Sequence, residues 1–446
     1  MAISRRKALQ LSGLAVASTA TAGFSSSKTP KITKSNESSD YKAPIADTNQ
    51  PRVVVVGGGW SGLTIAKYTK IFAPNSDVIL VEQRHEFTSC PMSNLWLVDK
   101  IELEYLTHDY LQAARENNYT YFHATATDLD KKNRILKTSD GDISFDYLVF
   151  APGIDYDYSR WTKDIAFETR LRQEYPAGFI PGSEHLTLKN KILNFKGGNF
   201  ILTVPSGNYR CLPAPYERAC VIADYFKQNK IKGKVILLDE NNAITIKKDG
   251  FQSAFDKLYG NYLEYMPNTV IKSIDLDEKI VETEFDDIEF EEAAFYPHVR
   301  GAKILERCGV AKDAKNMLEG DINPLTYEVN GLKDIFITGD SRPMGFSKSG
   351  NTSNSEGQFV AKLIAQKINK TPVIKWESPT TTCFSVVAID PEKAIYIYSQ
   401  YAYNKKTKAF NFTNTSSSED WKKDGEVNAK SVYHWADALY ADMFSK

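Results

Sequence analysis

Cysteine is scarce in this chain. Five cysteines occur among its 446 residues, namely Cys90, Cys211, Cys220, Cys308 and Cys383. None of them forms a C-x-x-C pair or a C-x-x-C-H sequence, which excludes a local dithiol pair and a haem attachment site. The six histidines are scattered, without the spacing of metal ligands. The sequence therefore predicts neither a metal centre nor a haem in this chain.

Long apolar runs and an excess of one charge are absent as well. No run reaches 18 apolar residues, so no transmembrane helix is predicted. The formal net charge is -1, which gives no reason to expect a nucleic-acid partner. Hydrophobic residues make up 42% of the chain and charged residues 25%, as is usual for a globular protein that buries large cores.

The N-terminus has the features of an export signal. Arg5 and Arg6 precede a weakly apolar stretch rich in Ala, Ser and Thr, and Ala20 and Ala22 form a small-residue cleavage pattern. We predict a twin-arginine signal over residues 1–24 and hence a periplasmic protein, with a basic helix or an uncleaved anchor as the alternatives.

A polar segment follows the predicted signal. Residues 25–50 are rich in Ser and Lys and nearly free of large apolar side chains. Such a segment cannot bury enough apolar surface to offset the entropy of ordering, so a disordered linker is predicted. After export, the cysteines would meet an oxidising compartment in which disulfides persist.

A dinucleotide-binding pattern begins with "RVVVVGGGWSGLTIAKYTKIF" at residue 52. Gly57, Gly59 and Gly62 form G-x-G-x-x-G between a strand and a helix, and Glu82 ends the next strand, "DVILVE". The glycines let the backbone approach a pyrophosphate at a helix N-terminus, and Glu82 would accept hydrogen bonds from ribose hydroxyls. The complete strand–helix–strand context disfavours a glycine-rich turn that binds no nucleotide.

Two later segments indicate that this nucleotide is FAD. "FDYLVFAPG" at 145–153 and "LKDIFITGDSRP" at 332–343 resemble the later motifs of flavoproteins with two dinucleotide-type domains. By this resemblance, Asp340 bonds the ribityl chain of FAD. The predicted fold is therefore α/β, with two Rossmann-like domains arranged as in glutathione reductase. The FAD-binding domain is predicted over 51–165 and 300–370.

The second dinucleotide-type domain, predicted over 166–299, lacks the glycine fingerprint. "FILTV", "RACVIADYFKQN" and "KVILLDE" keep the pattern of a βαβ unit. The turn between the first two reads "VPSGNYRCLPAPYERA", with prolines and a cysteine where NAD(P)H-using relatives have a second G-x-G-x-x-G. Proline fixes φ and removes a backbone donor, so we predict that no nicotinamide binds there.

Longer segments from about residue 51 to the C-terminus resemble the flavoprotein subunit of flavocytochrome c sulfide dehydrogenase. The segments that carry this resemblance are "SCPMSNLW", "YRCLPAPYERA", "SKSGNTSNSEGQFVA", "TTTCFSVVA" and "ALYADMF". The resemblance implies a C-terminal α+β interface domain over 371–446. It also implies sulfide as the substrate and a separate c-type cytochrome subunit as the partner.

The same resemblance assigns roles to four residues. Cys90 would form a thioether with the 8α-methyl group of FAD, the alternative being a small buried hydrophobe. Cys211 and Cys383 would form a disulfide over the flavin that sulfide attacks, the alternative being a structural disulfide. Glu217 would handle protons near this disulfide, the alternative being an ordinary acidic residue in a first helical turn.

Other residues receive weaker assignments. Lys348, Ser349 and Asn354 match the family segment after Asp340, and contacts on the flavin side are predicted for them. Cys220 lies on the apolar face of a predicted helix and is expected to be a buried thiol, and Cys308 has no assigned role.

The sequence thus predicts a FAD-dependent sulfide dehydrogenase flavoprotein that passes electrons to a c-type cytochrome. Three rival functions remain open at this stage. They are a sulfide:quinone oxidoreductase, an NADH-dependent disulfide or cytochrome reductase, and a flavin-bearing electron-transfer subunit without sulfide chemistry.

Overall fold

The computed structural model describes residues 41–372 and 374–445. The predicted export signal and the linker up to residue 40 lie outside the described residues. Within the described ranges, no helix combines the length and the apolar character needed to cross a membrane.

Residues 41–50, the last part of the predicted linker, contact the first domain. The Ala43 N–H donates to the carbonyl oxygen of Asp142 at 3.0 Å, and Arg52 Nη2 donates to that of Ala46 at 2.7 Å. Gly141 has a φ of +114°, and a Cβ at this position would overlap the backbone of Ala43. A glycine is therefore what allows the two segments to approach.

The strands and helices of the first half follow in chain order. The strands are β1 (Arg52–Val56), β2 (Asp77–Glu82), β3 (Glu86–Thr88), β4 (Thr107–Asp109), β5 (Thr120–His123), β6 (Ala126–Asp130), β7 (Ile135–Thr138), β8 (Ile143–Ser144), β9 (Tyr147–Phe150), β10 (Ile154–Asp157), β11 (Gly197–Val204) and β12 (Lys232–Asp239). The helices are α1 (Trp60–Phe72), α2 (Ser93–Leu97), α3 (Tyr110–Asn117), α4 (Ile165–Glu174), α5 (Ser183–Asn194) and α6 (Ala214–Gln228).

In the second half of the chain, strands and helices again follow one another, and most of the strand pairs are antiparallel. Its strands are β13 (Leu263–Pro267), β14 (Ile271–Asp275), β15 (Ile280–Thr283), β16 (Asp287–Glu289), β17 (Glu292–Ala294), β18 (His298–Gly301), β19 (Ile335–Ile337), β20 (Thr381–Ile389), β21 (Glu392–Asn404) and β22 (Ala409–Ser418). Its helices are α7 (Lys248–Leu258), α8 (Lys303–Arg307), α9 (Gly350–Asn369) and α10 (Gly425–Phe444), and short 3-10 turns cover Leu103–Tyr105, Ala314–Asn316 and Gly339–Ser341.

Two parallel sheets form the centre of the molecule. The first has the order β19-β9-β1-β2-β5, and the second has the order β13-β12-β11-β17. The valines of β1 are buried, as expected for a parallel strand covered on both faces by helices. The predicted α/β class with two Rossmann-like sheets is confirmed.

A smaller antiparallel sheet, β20-β21-β22, joins α10 in the C-terminal part of the chain. Strand β20 packs on α6, and α10 packs on β21. The end of α10 is tied to α1, because Lys67 Nζ donates to the carbonyl oxygens of Asp442 and Ser445, both at 2.6 Å. Because β20 packs on α6, the C-terminal part of the chain lies next to the loop that leads into α6.

Candidate functional site

A cleft of about 390 Å³ lies at the carboxyl end of β1. Its walls include Gly57, Gly59, Glu82, Arg210 and Asp340. Helix α1 starts at this cleft, directly after Gly59, and no side chain caps its first turn. Such a helix N-terminus favours an anion through its unpaired N–H groups and its dipole.

The three glycines of the fingerprint have different structural tasks. Gly57 has a φ of +101°, and a Cβ there would overlap the carbonyl of Ala151. A Cβ at Gly62 would overlap the carbonyl oxygen of Gly57, so the helix can start this close to the turn only with glycine. A Cβ at Gly59 would meet no atom of the described residues within 4 Å, so this position faces open space that a ligand can use.

Glu82 is held at the edge of the cleft, at the end of β2. The residue is 5% exposed. One carboxylate oxygen accepts from the Gly58 N–H at 2.7 Å, and the other accepts from the Arg84 N–H at 2.9 Å. An oriented carboxylate beside an uncapped helix N-terminus fits the ribose and pyrophosphate of a dinucleotide.

Replacing Gly62 with alanine is expected to lower flavin binding by about tenfold to a hundredfold. The added methyl group must push the start of α1 away from the turn, and overpacking of this kind costs about 1–3 kcal/mol. The flavin-to-protein ratio of the purified variant, read from its visible absorbance, measures the effect. Gly260→Ala is the matched control, because its Cβ would make only an ordinary contact of 3.7 Å with Asp256. Wild-type flavin content in Gly62→Ala would contradict the proposal that the dinucleotide binds at the turn formed by Gly57, Gly59 and Gly62.

Asp340 lies in the short turn after β19 and is 8% exposed. Its Oδ2 is 3.3 Å from Arg210 Nε, and Ser353 Oγ donates to its Oδ1 at 3.4 Å. Lys348 Nζ donates to the carbonyl oxygen of Asp340 at 2.6 Å and pairs with Glu319 Oε1 at 2.7 Å. Lys348 thus supports the Asp340 turn, while the Asp340 carboxylate borders the cleft.

Ser349 and Asn354, the other two residues of that segment, bond to protein groups. Ser349 Oγ accepts from the Thr352 N–H at 3.3 Å and caps α9. Asn354 Nδ2 donates to Thr64 Oγ1 at 2.9 Å and to Asp442 Oδ2 at 2.8 Å. Their observed partners therefore give them a packing role within and around α9.

Cys90 lies just after β3, and its thiol is 3.5 Å from the carbonyl oxygen of Phe179. Burial raises the pKa of the Cys90 thiol, and the nearby Arg210 opposes this shift. Asp340 also interacts with the thiol electrostatically. Cys90 therefore lies in the same neighbourhood as the Arg210–Asp340 pair that borders the cleft.

Cys211 and Cys383, which are 172 positions apart in the sequence, meet in the structure. Cys211 precedes α6 with a φ of 57°, and its N–H donates to the carbonyl oxygen of Lys348 at 2.7 Å. Cys383 lies on β20. Both are thiols here, so the predicted disulfide stays a prediction. Their mutual hydrogen bond raises the pKa of Cys211 and lowers the pKa of Cys383.

Glu217 lies in the first turn of α6, beside this thiol pair. Its Oε1 accepts from the Val386 N–H at 2.9 Å, and its Oε2 accepts from Asn94 Nδ2 at 3.2 Å. Burial raises the pKa of Glu217. Its charge adds to the raised pKa of Cys211 and opposes the lowering of the pKa of Cys383. A carboxyl group with a raised pKa next to thiols is suited to exchange a proton with them.

Three further polar residues belong to this site but were not predicted from the sequence. Arg210 and Arg218 flank Cys211 in the quoted segment "YRCLPAPYERA", which was the available signal for both. Arg218 Nε donates to Asn94 Oδ1 at 3.0 Å and thereby orders the neighbour of Glu217. Lys247 is distant in sequence, and no motif pointed to it.

The two remaining cysteines are away from the cleft walls. Cys220 is fully buried on α6, which confirms the prediction of a buried thiol. Cys308 is 3% exposed and directly follows α8. Neither residue contributes to the thiol pair.

Three separate parts of the chain match families of known proteins. Residues 51–160 match the pyridine nucleotide-disulphide oxidoreductase family. Residues 186–294 match the central part of the sulfide dehydrogenase [flavocytochrome c] flavoprotein chain, and residues 377–444 match the flavin-binding part of flavocytochrome c sulphide dehydrogenase. The flavoprotein chain of this dehydrogenase from Chlorobaculum thiosulfatiphilum is 51% identical over 43 residues, which are 10% of this chain and 90% of that sequence.

The chain belongs to the flavocytochrome c sulfide dehydrogenase flavoprotein family. The resemblance found in the sequence is thereby confirmed, as is the assignment of the chain as a flavoprotein oxidoreductase. Its match to a flavin-binding family supports FAD as the cofactor that the cleft residues fit.

This chain is also similar to sulfide:quinone oxidoreductases. The mitochondrial enzyme of Schizosaccharomyces pombe is 25% identical over 230 residues, 46% of this chain and 48% of that protein. The enzyme of Dictyostelium discoideum is 24% identical over 364 residues, 76% and 77% of the two chains. The match thus spans about half the length of the first relative and about three quarters of the second.

A solved structure shares the fold. The sulfide:quinone oxidoreductase of Aquifex aeolicus superposes with a TM-score of 0.70 at 15% identity, covering 88% of this chain and 91% of that chain. At this identity the likeness establishes a common architecture of the two dinucleotide-type domains.

Proposed function

We propose that this protein is the flavoprotein subunit of a sulfide dehydrogenase, which oxidises sulfide at Cys211 and Cys383 and passes the electrons through FAD to a separate c-type cytochrome. The observation that carries the proposal is the contact between these two thiols beside a cleft that fits a dinucleotide. Family membership adds support for both sulfide and a cytochrome acceptor.

The chemistry begins with the two cysteines joined as a disulfide. A hydrosulfide ion attacks one sulfur, a new S–S bond forms as the old one breaks, and the products are a persulfide on one cysteine and a thiolate on the other. Bound FAD supplies a two-electron acceptor for the oxidation of sulfide. No nicotinamide is needed as a reductant, since sulfide itself is the electron donor.

Glu217 would manage the protons of this exchange. Its buried carboxyl group interacts with both thiols, and its pKa lies above the ordinary value because of burial. It is therefore suited to take the proton of hydrogen sulfide or to return one to a thiolate. Asn94 and the Val386 N–H orient it for this role.

The electron acceptor separates the two leading functions. Sulfide:quinone oxidoreduction is the second candidate, because relatives named for that activity cover about three quarters of the chain. With sulfide as donor, we expect rapid reduction of a c-type cytochrome and little reduction of a soluble quinone analogue. The opposite preference would replace the first proposal with the second. NADH in place of sulfide serves as the negative control, and reduction of the flavin by NADH would favour the nicotinamide-dependent rival.

Two further parts of the proposal concern the cofactor bond and the location. We propose a thioether between Cys90 and FAD, because Cys90 shares its charged neighbours with the cleft. We also propose export to the periplasm, because of the arginine pair at the N-terminus.

Replacing Cys90 with serine is expected to make the flavin fully extractable. Serine keeps the size of the side chain but cannot form a thioether. After acid precipitation, yellow colour should remain with the wild-type protein and pass into the supernatant for the variant. Cys308→Ala is the control and should behave as wild type, since Cys308 lies elsewhere. Complete release of flavin from the wild-type protein would refute the covalent bond and leave FAD binding intact.

A further inference from the structure

A buried lysine lies beside the cysteine pair. Lys247, at the start of α7, is 3% exposed. Its Nζ donates to the carbonyl oxygen of Cys383 at 3.1 Å and to Ser385 Oγ at 2.7 Å. An ammonium group has three N–H donors, so one remains beyond these two bonds. Cys383 and Ser385, which are alternate residues of β20, therefore hold the ammonium group of Lys247 next to Cys383.

The partners of Lys247 do not neutralise its charge. Both of its hydrogen-bond acceptors are uncharged, and no carboxylate of the described residues lies within 4.0 Å of its ammonium nitrogen. A buried cation is unfavourable unless negative charge forms close to it. Burial accordingly lowers the pKa of Lys247, and the charges that oppose this shift are those of Cys383, Glu217, Cys211 and Glu419, with Cys383 the largest of them.

We infer that Lys247 stabilises the thiolate of Cys383 that is released when sulfide opens the Cys211–Cys383 disulfide. The inference rests on the proposed function for the identity of the attacking group. It assigns the two cysteines different tasks, with Cys211 carrying the persulfide and Cys383 serving as the leaving thiolate.

The step is balanced in atoms and electrons. Hydrosulfide attacks Cys211 Sγ, the Cys211–Cys383 bond breaks, and the electron pair of that bond leaves on Cys383 Sγ. One persulfide and one thiolate replace one disulfide and one hydrosulfide ion. A leaving thiolate of lower basicity departs faster, so a cation beside Cys383 accelerates this direction of opening.

Accessibility supports the same assignment. Cys211 is half-buried, whereas Cys383 is 8% exposed, so Cys211 is the more exposed residue of the pair. The charged and titratable groups acting on Cys383 are Cys211 from the loop before α6, Lys247 from the start of α7, and Glu217 from α6. Cys211 and Lys247 lower the pKa of Cys383, and Glu217 opposes them.

The test is the pH profile of Cys383 alkylation in the dithiol form of the flavin-loaded protein. The protein is reduced anaerobically, pulsed with iodoacetamide between pH 5 and pH 10, and digested for mass spectrometry of the Cys383 peptide. Each profile is normalised to its own plateau, so that limited access to the buried thiol cancels. The wild-type midpoint should lie below the ordinary cysteine value of about 8.5.

Lys247→Gln keeps hydrogen-bond donors for the Cys383 carbonyl and Ser385 but removes the charge. It should move the midpoint upward and lower the normalised rate at pH 7 by about tenfold, which corresponds to one pKa unit. Lys247→Arg should keep the midpoint near that of wild type. Lys67→Gln is the matched control, because Lys67 is also a buried lysine with two uncharged acceptors. It lies on α1, and its acceptors are the carbonyl oxygens of Asp442 and Ser445 at the end of α10.

Three results would overturn the inference. They are a wild-type midpoint at or above the ordinary value, an unchanged midpoint in Lys247→Gln, and equal shifts in the Gln and Arg variants. The first needs no variant, so it decides the matter even where Lys247→Gln does not fold. Anaerobic reduction of the wild-type flavin by sulfide is measured separately. If sulfide does not reduce the flavin, the proposed function is refuted. The pH profile of Cys383 alkylation still tests the effect of Lys247, because that experiment uses no sulfide.

Discussion

Replacing either Cys211 or Cys383 with serine is expected to abolish reduction of the flavin by sulfide. Either change removes the disulfide, which is the only electrophilic sulfur that the proposed mechanism uses, and a serine hydroxyl cannot replace it. The loss should reach about three orders of magnitude or more in the rate, as is usual when a covalent catalytic group is removed. Anaerobic titration with sulfide, followed at the flavin band near 450 nm, measures it directly.

The control for this experiment is that the flavin itself stays intact. Both serine variants should bind flavin at the wild-type ratio and be bleached by dithionite, since neither cysteine holds the dinucleotide cradle. Cys308→Ser, which changes a buried thiol elsewhere, should retain sulfide reduction. Bleaching of Cys383→Ser by sulfide at the wild-type rate would show that the electrons enter by another route.

The glycine turn and the acidic residue beside the cleft were predictable because they are local in the sequence. Gly57, Gly59, Gly62 and Glu82 lie within 26 positions of one another, and the backbone geometry that each one serves follows from residue type. The burial of Cys220 was predictable for a similar reason, since a helix repeats its apolar face every three to four residues.

The thiol pair depends on a contact that no local pattern encodes. Cys211 and Cys383 meet because β20 of the C-terminal part packs on α6, and only the family resemblance pointed to both residues. Lys247 reaches the same place from the start of α7. Its neighbours in sequence gave no reason to expect a buried cation. The negative charges that act on Lys247 come from residues that are distant in sequence and meet only in the folded protein.

The segment after Asp340 shows where transfer by resemblance loses detail. Matching the family motif predicted contacts of Lys348 with the flavin side, and this stays a prediction. The structure adds that its ammonium group bonds the Asp340 carbonyl and Glu319. A buried lysine must find such partners within the protein, and the sequence alone does not say which ones are near. The motif therefore pointed to the segment, whereas the protein partners of its side chains had to come from the structure.

An ion pair between Arg342 and Glu356 lies under the Asp340 turn. Both side chains are fully buried, with Arg342 Nε 2.8 Å from Glu356 Oε1. Glu356 Oε2 also accepts from the Gly339 N–H at 3.0 Å, and Arg342 Nη2 donates to the carbonyl oxygen of Ser347 at 2.9 Å. The pair thus fixes both ends of the segment that carries Asp340.

Replacing Arg342 with methionine is expected to lower the free energy of unfolding by about 3–5 kcal/mol, because it leaves the carboxylate of Glu356 buried without its counter-charge. Denaturant unfolding at neutral pH measures the loss. Burial already raises the pKa of Glu356, and removing the arginine, which opposes that shift, raises it further. A group whose pKa is higher in the folded state favours folding at low pH, so the deficit should shrink as the pH falls and the carboxyl group becomes protonated.

Two variants separate the loss of the buried pair from a general effect of removing a charge. Lys362→Met breaks the exposed Lys362–Glu377 ion pair of 2.6 Å and should change the free energy of unfolding by no more than about 1 kcal/mol. Adding Glu356→Gln to Arg342→Met removes the unpaired charge while keeping an acceptor for the Gly339 N–H, so much of the lost stability should return. If the double variant were as unstable as Arg342→Met and the deficit did not depend on pH, the destabilisation would come from lost packing around Arg342 rather than from the buried charge of Glu356.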